Sequence, residues 1–309
     1  MPGSMLFSIG EAWIEMLPSQ TGCALAEVPA FCPQVGGAPV RVCEAFARLG
    51  GQSALLSQLG SDPFGHRIAQ ELDACGVDIS HLAFTDRAGT ALAFYSIAAD
   101  GTRHASFFRK PSADLLYAPE QLDPAWFREA FALHFSSAAL VDSPMRYAHL
   151  AAIDAAREAG ALVSFAPALC PDLWSDRDAL RQTVLQFAPL AHLRLLTDEE
   201  LPFLTGSQDP ESALPQLLIG NVRLVLYLRS GRGAWACTRS AQTFAACREP
   251  DAADSSCFLA AFLFQLVRDG IPAEKLGTLS RTRLHGLLTS AFRADGTDAA
   301  LPAAEALAE

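Results

Sequence analysis

From residue 131 to residue 292 the chain alternates short apolar segments with longer segments of helical period. Phe131 to Phe135, Ala161 to Phe165, His192 to Leu196 and Val222 to Leu228 read as strands, with helices at Met145 to Ala159, Asp178 to Phe187, Phe258 to Val267 and Arg283 to Phe292. Continuously apolar strands separated by amphipathic helices predict a mostly parallel sheet covered on both faces. Before residue 131, Met5 to Gly10 and Ser53 to Leu59 read as strands and Val40 to Leu49 and His66 to Cys75 as helices. Thr90 to Ala98 and Thr102 to Phe108, joined at Asp100-Gly101, break the alternation and predict a small antiparallel appendage. One α/β domain over residues 1–309 is the expectation.

Composition excludes several functions. Half of the 309 residues are hydrophobic, enough for a full core. A net charge of −11 argues against nucleic-acid or anionic-membrane partners. No apolar run reaches a membrane span and no signal peptide is visible. The eight cysteines form no Cys-x-x-Cys pair, so neither a zinc site nor a disulfide scaffold is predicted. Thiols in a reducing cytoplasm are the expectation.

The stretch from Glu249 to Phe262 is the candidate for chemistry. Polar and small residues run into an apolar helix, and Asp254, Ser255 and Ser256 are all able to cap it. The free N–H groups and dipole of a helix N-terminus suit phosphate or developing negative charge.

The ordered landmarks resemble the ribokinase-like (PfkB) carbohydrate kinases, closest to the fructokinase branch. They are Gly10-Glu11-Ala12-Trp13-Ile14-Glu15, Gly36-Gly37-Ala38-Pro39, Ala47-Arg48-Leu49-Gly50-Gly51, Leu59-Gly60-Ser61-Asp62-Pro63-Phe64-Gly65, Cys75-Gly76-Val77-Asp78, Phe108-Arg109-Lys110-Pro111-Ser112-Ala113-Asp114, Glu199-Glu200-Leu201-Pro202-Phe203-Leu204-Thr205-Gly206 and Ala300-Leu301-Pro302. The resemblance implies a three-layer α/β/α sandwich with a β lid from segments about 12–35 and 90–109. It implies transfer of the ATP γ-phosphoryl group to a sugar hydroxyl with Mg²⁺, and a homodimer joined through the lid. It places Glu15, Gly36, Gly37, Arg41 and Arg109 at the sugar, and Glu200, Ser230, Gly231, Gly233, Ala253 and Ser255 at the nucleotide. No metal ligand is assigned.

The chain departs from the family pattern at functional positions. Aligning Phe258 with the family's phenylalanine puts Ser256 where the aspartate base stands, and a serine hydroxyl cannot hold an abstracted proton near neutral pH. Asp254 serves as base only with a shorter turn. Glu15 replaces an aspartate, Arg41 an asparagine, and Ala166, Ala168 and Cys170 replace polar groups. An ion pair between Glu15 and Arg41 is one expectation for those two. Together these changes predict impaired or absent catalysis, a pseudokinase that keeps the fold for binding or assembly. The alternative is an active fructose-type kinase with Asp254 as base.

Overall fold

The computed structural model describes residues 3–247 and 254–295. In chain order the first half contains β1 (Met5–Ile9), β2 (Trp13–Pro18), β3 (Phe31–Gly36), α1 (Ala38–Arg48), β4 (Gln52–Gly60), α2 (Pro63–Ala74), β5 (Leu82–Thr85), β6 (Ala91–Ile97), β7 (Arg103–Phe108) and β8 (Ala130–Phe135). Then follow α3 (Pro144–Glu158), β9 (Leu162–Phe165), α4 (Arg177–Phe187), β10 (Leu193–Leu196), α5 (Glu200–Thr205), α6 (Pro210–Ala213), β11 (Leu224–Arg229), β12 (Gly233–Cys237), β13 (Gln242–Ala246), α7 (Ser255–Arg268) and α8 (Arg281–Asp295). The landmark Ala300-Leu301-Pro302 lies outside the described residues.

Nine strands form the main sheet in the order β13-β12-β11-β10-β9-β8-β1-β4-β5. All pairings from β11 to β5 are parallel, and β12 and β13 add an antiparallel edge. The period-2 alternation of each strand divides the core into two layers. Phe7, Ile9, Leu133, Phe135, Val163 and Phe165 pack against α3 and α4. Leu6, Ala132, Leu162, Leu193, Leu195, Leu224 and Leu226 face α1, α7 and α8 on the other side. The result is a three-layer α/β/α sandwich: the alternation predicts its parallel sheet covered on both faces, and the resemblance implies its layers.

A second sheet, ordered β3-β2-β6-β7, stands apart from the first. Its β6–β7 pair is the expected antiparallel hairpin, but β2 runs parallel to β6, so the sheet is mixed rather than purely antiparallel. On β2, Trp13 and Glu15 share one face while Ile14 and Met16 turn to the core cluster around α2. The register sets Glu15 beside Ala93 of β6, which brings the first segment and the hairpin to one surface.

Candidate active site

Helix α7 is held by Phe258, Leu259, Phe262, Leu263 and Leu266, all fully buried against the sheet. That apolar grip places the helix N-terminus at the carboxyl ends of the parallel strands, where open α/β sheets bind ligands. Asp254 is the N-cap: its Oδ1 accepts the N–H groups of Ser256 at 2.7 Å and Cys257 at 3.3 Å. Ser255 and Ser256 line a cavity of about 320 Å³ with Ala38, Val42, His134, Ala166, Ala168, Leu169, Leu195, Thr197, Glu199, Glu200 and Leu259. Ala253 lies outside the described residues.

Glu200 closes one wall. Its Oε2 accepts the Thr197 N–H at 2.8 Å and its Oε1 that of Leu169 at 3.3 Å. Burial pushes its carboxyl above the ordinary value, while these backbone donors pull it down. The α5 helix it opens is six residues long, and Glu199 makes no capping bond through its side chain. Nearby, Asp198 accepts the Tyr227 hydroxyl and the Ser230 N–H, both at 3.0 Å, and lies 3.7 Å from Arg229. Ser230 and Gly231 thus sit in a β11–β12 turn pinned to the start of α5, and Gly233 opens β12.

The opposite side is built by β2, α1 and the second sheet. Glu15 is buried and its two oxygens meet four donors. Oε1 lies 3.3 Å from Trp13 Nε1 and 3.4 Å from the Tyr95 hydroxyl; Oε2 lies 2.8 Å from Arg41 Nη2 and 3.5 Å from Arg103 Nη2. The Glu15–Arg41 ion pair expected from the sequence is present. Arg41 Nη1 reaches toward Asp254, 3.8 Å from Oδ2, so one guanidinium lies between two carboxylates. Gly36 makes room for this arrangement, because a methyl group there would collide with Glu15 Cγ and Cδ. Gly37 has a φ of 115°, and a side chain there would come within 2.5 Å of the Glu11 carbonyl oxygen.

Arg109, expected at the sugar, has its partners within the protein. It is buried, its Nε and Nη2 bond Asp114, its Nη1 donates to the Ala138 carbonyl at 2.7 Å, and it lies behind the Trp13 ring. Cys170 is a thiol pushed up to about 12, chiefly by burial, which makes it a poor nucleophile. Ser256 lines the cavity but Asp254, not Ser256, carries the carboxylate at the helix end.

Four residues were not singled out from the sequence. Trp13, Tyr95 and Arg103 share the face of Glu15; strand alternation could have indicated Trp13, but Tyr95 and Arg103 arrive through the β2–β6–β7 pairing. His134, on β8, meets Ser164 at 3.3 Å on the cavity floor, and burial lowers it to about 3, so its ring is neutral. A histidine at the end of an apolar strand was its only signal.

The model of the pfkB family carbohydrate kinases matches residues 4–276. The chain belongs to the pfkB family of carbohydrate kinases. It is 40% identical to fructokinase-2 of Solanum lycopersicum over 231 residues, covering 74% of this chain and 70% of that protein. It is 38% identical to fructokinase-1 of Oryza sativa subsp. japonica over 241 residues, covering 74% and 75%. Among solved structures, a fructokinase from Xylella fastidiosa superposes with a TM-score of 0.82 at 28% identity, covering 96% of this chain and 93% of that one. The same fructokinase with bound ATP gives 0.82 at 28% identity, covering 95% and 92%. In this pfkB carbohydrate kinase the cavity beside α7 lies at the carboxyl ends of β8, β9 and β10, and Arg41 links the Glu15 side to Asp254 at 3.8 Å.

Proposed function

We propose that the chain is an active ATP-dependent sugar kinase, phosphorylating fructose or a related sugar with Asp254 as the base. The observation that carries this reading is the state of the Asp254 carboxylate. Oδ1 is occupied by the N–H groups of its own helix, whereas Oδ2 has, among the described residues, only Arg41 in reach, at 3.8 Å. An oxygen so fixed at a helix N-terminus is able to accept the proton of a sugar hydroxyl. The fructokinase relatives support the same reaction.

ATP belongs to the cavity in this reading. Ser255 and Ser256 sit at the end of α7, where the helix dipole favours phosphate, and the Ser230-Gly231-Arg232-Gly233 turn flanks the start of α5. Among the described residues no three His, Cys, Asp or Glu side chains converge on a metal position. Mg²⁺ held mainly by phosphates and water needs one or two carboxylates, and Glu199 and Glu200 on the cavity wall meet that need. When bound, Mg²⁺ neutralises phosphate charge. The chain's own residues position the hydroxyl and receive its proton.

A coupled ADP-release assay with fructose and a small sugar panel tests the proposal. Asp254→Ala should lower turnover by about 10²–10⁴-fold, the usual contribution of a general base. Unchanged turnover removes Asp254 from the role. A second reading, a non-catalytic chain kept for binding or assembly, is favoured by the Arg41 guanidinium lodged between Glu15 and Asp254. Wild-type protein that binds ATP yet releases no ADP with any sugar would establish it.

We also place the protein in the cytoplasm as a homodimer joined through its second sheet. No helix among the described residues is long and apolar enough to cross a membrane. Phe31, Phe94 and Phe108 form an aromatic row on one face of that sheet, with centroids 5.1 and 5.4 Å apart and Phe108 64% exposed. Light scattering that gives a monomer mass would reject the dimer.

A further inference from the structure

We propose that Arg41 selects the sugar, and that the sugar it selects carries an anionic group, a carboxylate or a phosphate. The inference rests on the kinase reading of the cleft and names its substrate class. It begins with hydrogen-bond supply and demand. A neutral sugar presents hydroxyls, each both donor and acceptor, and a site that reads them offers both kinds of group. A carboxylate has about four lone-pair positions. Those of Glu15 accept hydrogen bonds from Trp13, Tyr95 and Arg41, with the Arg103 guanidinium a further 3.5 Å ion-pair neighbour. The carboxylate is therefore spent inside the protein, orienting its donors, and has little left for a sugar hydroxyl.

The Ala166, Ala168 and Leu169 stretch of the wall supplies no side-chain acceptor; those the cavity has, on Thr197, Glu199, Glu200, Ser255 and Ser256, are on the side assigned above to ATP. What remains is donor-rich. A guanidinium has five N–H groups, and among the described residues Arg41 makes one hydrogen bond, to Glu15, with its Nη1 turned toward the gap before Asp254. Arg103 lies over the Tyr95 ring at 3.7 Å, which fixes its plane while leaving it about half exposed. Two oriented guanidinium groups against apolar walls fit a group that accepts from several donors at once. Carboxylate and phosphate are such groups, and arginine binds both in a forked geometry.

The position of Arg41 on its helix points the same way. It is the fourth residue of α1, where the dipole disfavours a cation. Helix stability gives no reason for an arginine there, whereas an incoming anion would bridge the guanidinium and the positive end of α1. That anion would also relieve the competition between Asp254 and Glu15 for Arg41, leaving Asp254 Oδ2 open to the substrate hydroxyl.

The test uses the full chain with fructose, D-gluconate and fructose 6-phosphate. ADP release is measured with ATP, and binding by calorimetry with a non-hydrolysable ATP analogue. Wild type should prefer an anionic sugar to fructose by about 10–100-fold, the worth of a charge-assisted hydrogen bond. Arg41→Asn should erase that preference, and Arg41→Lys, which keeps the charge but loses the fork, should restore part of it. Whether D-gluconate or fructose 6-phosphate is favoured assigns the anion as carboxylate or phosphate. A wild-type preference for fructose, no binding of either anionic sugar, or a ratio unchanged by Arg41→Asn overturns the proposal. Anionic-sugar binding that depends on Arg41 without ADP release would overturn the kinase reading alone and sustain the selectivity inference.

Discussion

Two arginine–carboxylate pairs flank Trp13, and they differ in what surrounds them. Arg109 and Asp114 are both buried, and the guanidinium meets protein on three sides: Asp114 on one edge, the Ala138 carbonyl on the other, the Trp13 ring across the face. Ser112 completes the shell of Asp114. Arg41 and Glu15 share only one hydrogen bond, at 2.8 Å, and the Arg41 side chain is 33% exposed on the cleft. The first pair uses three of the five N–H groups of its guanidinium and is closed to solvent. The second is held in place yet incompletely used. Arginine–carboxylate pairs thus do different things: one joins β7 to the segment after it, the other leaves a guanidinium partly exposed beside Asp254. Sequence proximity to a family signature does not separate them; the count of unused donors does.

The largest effect is expected at Asp114. Asp114→Ala leaves Arg109 buried beside a missing anion, and removing one partner of such a pair costs about 3–5 kcal/mol. Urea unfolding at neutral pH should show that loss. The double change Arg109→Met with Asp114→Leu should recover most of it, because replacing both charges by apolar groups is often close to neutral. A single change costing under about 1 kcal/mol would put this pair in the same class as exposed ion pairs.

Glu11 is the intermediate case, a buried carboxylate with no arginine bonded to it. Its Oε1 accepts the Ala38 N–H at 3.1 Å at the start of α1, and Ser136 Oγ lies 3.4 Å from each of its oxygens. Burial raises it from 4.5 to about 7, with Arg109 and the backbone donors opposing. The folded state therefore holds this proton more tightly than the unfolded chain. Stability contributed by the protonated form is present below about 4.5 and is lost as pH rises to about 7. The loss is on the order of 3 kcal/mol for a shift of this size. Glu11→Gln keeps an acceptor for Ala38 and should flatten that part of the stability–pH curve, measured by thermal unfolding from pH 4.5 to pH 7.5. An identical slope in the variant would assign the proton elsewhere.

The sequence made the large architecture legible because it depends on patterns repeated along many residues. Apolar strands alternating with amphipathic helices specify the parallel sheet whatever the details of any one loop. The antiparallel edge was less visible, since β12 and β13 are five residues each and rich in alanine. The mixed second sheet was half visible. Asp100-Gly101 announced the β6–β7 hairpin, but the parallel β2–β6 contact joins segments about eighty residues apart and has no local signal. The site followed the same rule. Asp254 as a helix cap and the Glu15–Arg41 pair were legible from local chemistry and opposite charge. The burial of Arg109 was not, because it depends on Trp13, Ala138 and Asp114 converging from three parts of the chain. An alignment anchored on Phe258 favoured Ser256 as the base position, whereas the start of α7 sets Asp254 at the helix end.

Arg41→Asn should have the smallest effect on folding and is the sharpest control on the comparison. Three donors, Trp13, Tyr95 and Arg103, stay within reach of Glu15 after the change, so its buried carboxylate is not abandoned. The lost pair is partly exposed, and such pairs contribute about 0–1 kcal/mol. Part of even that is offset, because a cation leaves the N-terminal turn of α1, where the dipole opposes it by about 0.3–1 kcal/mol. Thermal unfolding should therefore place the variant within about 1 kcal/mol of wild type, while Asp114→Ala falls several times further. A loss above about 2 kcal/mol for Arg41→Asn would show that Arg41, like Arg109, is spent on the fold. The unused donors on its guanidinium would then have no claim to be a binding surface, and the distinction between the two pairs would disappear.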